Sequence, residues 1–92
     1  MKTYKEMVRE ADVHMSEREE LLGIEYKMLI YPKVGFDTQK EEYYLFIGNS
    51  ESGISFYNND SDILNTLREV SILINERNTS LVEPQLNSEK DK

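Results

Sequence analysis

Cysteine is absent from the sequence, which excludes a disulfide framework and any thiolate metal site. A reducing, cytoplasmic setting is the expectation that follows. Tryptophan is absent too, and histidine occurs once, at His14, so no second imidazole or thiol is present to complete a zinc site. No apolar run approaches the roughly 18 residues that would cross a membrane. The first residues, MKTYKEMVREAD, lack the apolar stretch of a secretory signal, so none is expected. Basic clusters are missing as well. Against 11 Lys and Arg stand 18 Asp and Glu, a formal charge of −7, and each third of the chain is net acidic. A direct nucleic-acid binder needs a cationic patch against phosphate, and none is found.

Catalytic motifs are equally scarce. The four glycines, at 23, 35, 48 and 53, form neither G-x-G-x-x-G nor a P-loop, and each is expected at the end of an element. GNSESG (48–53) holds two serines but no nucleophile elbow, and the sequence places no histidine beside them. NNDSD (58–62) lacks the glycine and distal glutamate of a calcium loop and reads as helix capping. Paired acids such as Glu41 and Glu42 carry little specificity among 18 carboxylates. The expected catalytic, cofactor-binding and metal-binding residues are therefore none, no cofactor is implied, and a non-enzymatic protein is expected. His14 is expected as a partly buried helix histidine.

What is present is a pattern of elements. Thr3 with Glu6 makes a capping box, and Tyr4, Met7, Val8, Ala11 and Met15 recur at spacings of three and four. Gly23 is placed to end this helix, read over 3–22, with a possible kink where Ser16 and Glu19 repeat the capping signal. Three strands follow. The first, 23–32, alternates Ile24, Tyr26, Met28 and Ile30 and stops at Pro32. The segment 33–40 is read as a connection turning at Gly35. The second strand is about 42–48 and the third about 54–58, joined by NSESG with Gly53 able to take positive φ. A last helix starts among Asn59, Asp60 and Ser61, carries Ile63, Leu64, Leu67, Val70, Leu73 and Ile74 on one face, and is expected to stop at Asn78. The fold class expected is α+β: a helix, a three-stranded antiparallel meander, a helix, and a disordered tail. Residues 1–78 form the single domain and 79–92 a mobile polar tail.

The second strand raises the main question. From Tyr43 to Gly48 it carries no charge, as though both faces were buried. With the sheet as read, one face is aliphatic: Ile24, Tyr26, Met28, Ile30, Tyr43, Leu45, Ile47, Ile54 and Phe56. The other, with Leu29, Tyr31, Tyr44, Phe46 and Tyr57, is aromatic. Burying roughly 400 Å² of such a face is worth roughly 10 kcal/mol before entropy costs. A patch of that kind does not stay bare on a soluble monomer. A helix of the same chain, a second copy, or a different protein would cover it. Val13 and Ile72 lie off the apolar stripes of their helices and are expected on the surface.

These features point to a small acidic binding module. Tyrosines bury large area with few rotamers to freeze, and carboxylates speed encounter with a basic surface. The expected partner-binding residues are Glu41, Glu42, Tyr44, Glu51, Tyr57 and Asp60. The expected partner is a larger protein with a basic surface, with no direct nucleic acid and no membrane. The alternative is a self-associating accessory protein with a homodimer seam on the aromatic face. In size, acidity and lack of catalytic residues the chain resembles small phage-encoded inhibitors, such as anti-CRISPR proteins and nucleic-acid mimics. No motif carries that resemblance, and the even spread of acids differs from a mimic's charged stripe. It implies an inhibitor or modulator of a nucleic-acid-processing protein.

Overall fold

A computed structural model describes residues 2–58 and 62–90, in the order α1 (Tyr4–Leu22), β1 (Tyr31–Asp37), β2 (Glu42–Gly48), β3 (Gly53–Asn58) and α2 (Ile63–Lys90). The α+β meander expected from the sequence is what forms: three antiparallel strands in the order β1-β2-β3, with a helix before and a helix after. Among the described residues, no helix is long and apolar enough to cross a membrane.

α1 begins as its capping signal indicates. The Thr3 hydroxyl accepts from Glu6 N at 3.1 Å, and donates to the Glu6 carboxylate at 3.1 Å. Gly23 takes φ 71, so that Gly23 N and Ile24 N close on the last carbonyls at Glu20 and Glu19. No break occurs at Ser16, whose hydroxyl accepts from the Lys27 ammonium.

The first strand is not where the alternation places it. Residues 23–30 are irregular and β1 begins at Tyr31, so the expected connection, 33–40, supplies most of the strand. The physical reason lies in where the backbone groups of 28–30 go. Met28 N donates to the Glu19 carboxylate at 2.8 Å, and Met28 O accepts from Arg77 at 3.2 Å. Leu29 O accepts from the Asn49 amide at 3.0 Å. Asn78 pairs with Ile30 as a neighbouring peptide would, donating to its carbonyl at 2.7 Å and accepting from its N–H at 3.4 Å. Side chains thus replace a ladder, and Met28 and Ile30 still enter the core. Pro32 falls inside β1, which as an edge strand tolerates a missing donor.

Asn78 does not stop the last helix, because its amide serves Ile30; the backbone stays helical through Lys90. The expected capping residues Asn59, Asp60 and Ser61 lie outside the described residues. Arg77 ties the two helices together, reaching Asp12 at 2.8 Å and 3.1 Å.

The core lies on one side of the sheet. Ala11 and Met15 of α1 and Ile63, Val70 and Ile74 of α2 close over Leu45 and Ile47 of β2. Val34, Ile54 and Phe56 pack at its margins. Val13 and Ile72 are exposed, as expected.

Candidate functional site

Strand register sorts side chains between the two faces. The pairs Pro32–Ile47, Val34–Leu45, Leu45–Phe56 and Ile47–Ile54 lie on the helix side. The opposite side carries Tyr31, Lys33, Gly35 and Asp37 on β1, Glu42, Tyr44, Phe46 and Gly48 on β2, and Gly53, Ser55 and Tyr57 on β3. Both helices pack on the first side, so among the described residues no helix covers the second. The face beneath the helices differs from expectation in its β1 contribution: Pro32, Val34 and Phe36 stand where Ile24, Tyr26, Met28 and Ile30 were placed. Tyr26 is exposed, and Leu29 belongs to no strand. The aromatic set Tyr31, Tyr44, Phe46 and Tyr57 is as expected.

This open face is shaped by glycine. Gly35 is a strand residue opposite Tyr44, and a Cβ there would collide with the Tyr44 ring. The Phe46 ring lies over Gly53, where a Cβ would collide with it and sit 2.9 Å from the Ile47 carbonyl oxygen. Gly53 therefore serves close approach; its φ is not positive, contrary to the turn role read from sequence. Half-buried Tyr44 and Phe46 recline on backbone, which is how an uncovered strand stays apolar.

Tyr57 stands beside Tyr44, ring centroids 6.0 Å apart, and is 42% exposed. The Lys40 ammonium sits 3.9 Å from the centre of the Tyr57 ring. Lys40 reaches it from the turn joining β1 and β2, which Asp37 shapes by accepting from Gln39 N at 3.0 Å and Lys40 N at 3.1 Å. Glu41 closes that turn at φ 55, a left-handed conformation that favours glycine. Glu42 lies opposite Asp37 on the open face.

Of the six expected contact residues, the fold brings together Glu41, Glu42, Tyr44 and Tyr57 at one end of the sheet. Glu51 is exposed in the β2–β3 turn at the other end, roughly 20 Å away along the strand. Asp60 lies outside the described residues. Sequence reasoning missed Lys33 and Lys40, and with them the mixed charge of this face. It also missed the role of Gly35, although a glycine between Val34 and Phe36 in KVGFD is a signal of close approach.

One chemical pair appears that spacing did not suggest. His14 Nε2 lies 2.8 Å from Ser52 Oγ. A serine nucleophile also needs amide donors for the oxyanion and a group to orient the imidazole. Ser52 N and Glu51 N are both spent on the Asn49 side chain, at 3.2 Å and 2.8 Å, and among the described residues no acid bonds to His14. The pair is arranged as a staple between α1 and the β2–β3 turn. No group of three or more metal-ligating side chains gathers among the described residues. Compared with protein-family models, with curated proteins and with solved structures, the chain matches none.

Proposed function

We propose that the chain is a non-enzymatic binding module that inhibits or modulates a larger protein, met through the open aromatic face of its sheet. The observation that carries this is the set Tyr31, Tyr44, Phe46 and Tyr57, which no helix covers among the described residues because both helices pack on the other side. Rings braced on glycine are ordered before contact, so little rotamer entropy is lost when a partner covers them. Asp37, Glu41 and Glu42 border the Tyr44 end and favour a basic partner surface. An inhibitor of a nucleic-acid-processing protein is the finer form of this reading, drawn from size and acidity.

The test begins with capture of the partner from the native host, followed by binding of the purified pair. Tyr44→Ala with Tyr57→Ala should weaken binding at least tenfold while the circular dichroism spectrum is unchanged. Glu41→Lys with Glu42→Lys should slow association at low salt and have less effect at high salt. Full affinity in the tyrosine double variant would overturn the proposal.

A further inference from the structure

The two edges of the sheet are guarded unequally. β1 carries Pro32, Lys33 and Asp37, the proline and charges that discourage an incoming strand. β3 reads GISFYN and has neither charge nor proline. Among the described residues, nothing bonds to its outer backbone groups. Two hollows flank this edge on the helix side. One, of about 470 Å³, lies between Ile54 and Arg9, Glu10, Val13, His14 and Glu17 of α1. The other, of about 370 Å³, lies beside Phe56 and is lined by Lys2, Met7, Ile63 and Thr66. Ile54 and Phe56 are one strand repeat apart, so an added strand would direct alternate side chains toward these two hollows.

We propose that β3 pairs antiparallel with β3 of a second copy, about a twofold axis at Ser55. In that register Ile54 lies opposite Phe56 of the second copy on the helix side, and the reverse, so each hollow receives an apolar side chain. On the open side Gly53 faces Tyr57 of the second copy, and Ser55 faces its own counterpart. The occupant is the chain itself for two reasons. A strand without charge sets no like charges opposite each other, even in a chain of net charge −7. Closure about a twofold axis also consumes both unguarded edges and leaves a six-stranded sheet bounded by β1 on either side. This seam is at the sheet edge, so the aromatic faces stay open and its success or failure is separate from that of partner binding.

Light scattering of the full chain over a concentration series tests it. Wild type should approach twice the chain mass. Ser55 is exposed, so Ser55→Lys and Ser55→Glu spare the core; each alone should be monomeric, with an unchanged circular dichroism spectrum. An equimolar mixture of the two should restore the dimer, which a folding defect would not do. Wild type that stays monomeric throughout, a Ser55→Lys variant that dimerises like wild type, or a mixture that fails to dimerise overturns the proposal.

Discussion

The two faces of β2 solve the same problem in different ways. Leu45 and Ile47 point to the helices and are 1% and 0% exposed. Tyr44 and Phe46 point away from them and are only half-buried, with glycine backbone beneath and, among the described residues, no helix above. The first pair is held by interlocking aliphatic side chains from five elements or segments of the chain. The second rests on close approach to the backbone, with the Tyr44 ring over Gly35 and the Phe46 ring over Gly53. An uncharged strand therefore need not mean two protein covers. Alternate aromatic residues can shelter on the sheet itself when glycines sit opposite or diagonal to them.

Three substitutions probe this contrast by urea unfolding of the isolated chain. Ile47→Ala removes a fully buried side chain from the covered face and should cost about 2–5 kcal/mol, because the two helices packed over that face limit collapse around the cavity. Gly53→Ala attacks the open face from below. The new Cβ displaces the Phe46 ring and crowds the Ile47 carbonyl, for an expected loss of about 1–3 kcal/mol. Phe46→Ala leaves no enclosed cavity, only an uncovered glycine floor, and should cost about 1–2 kcal/mol. If Phe46→Ala proved as damaging as Ile47→Ala, the two faces would be equivalent and the contrast would fail.

Much of this architecture is legible in the sequence, and the places where it is not have specific causes. α1 announces both ends through Thr3 and Gly23, and β2 and β3 appear close to their observed limits. β1 was displaced because period-two alternation at Ile24 to Ile30 marks burial of Met28 and Ile30, which a strand and a side-chain-pinned segment share. The pinning groups, Glu19, Asn49, Arg77 and Asn78, come from three other parts of the chain, so no local pattern could reveal them. Asn78 looked like a helix stop for the same reason: its amide has a distant use. At the candidate site, the tyrosines were visible as residue types, but their openness was not. Openness depends on both helices choosing one face, which only the assembled fold decides. Lys40 over Tyr57 likewise depends on the turn that Asp37 builds.

The openness of the aromatic face, over which no helix lies among the described residues, sets the two sides of the sheet apart. Its most direct test is a nuclear magnetic resonance titration of the isolated chain with a soluble paramagnetic agent. Ring signals of Tyr44, Phe46 and Tyr57 should broaden strongly while the methyl signals of Leu45 and Ile47 stay sharp. Rings as well protected as those methyls would mean that the face is already covered within the chain.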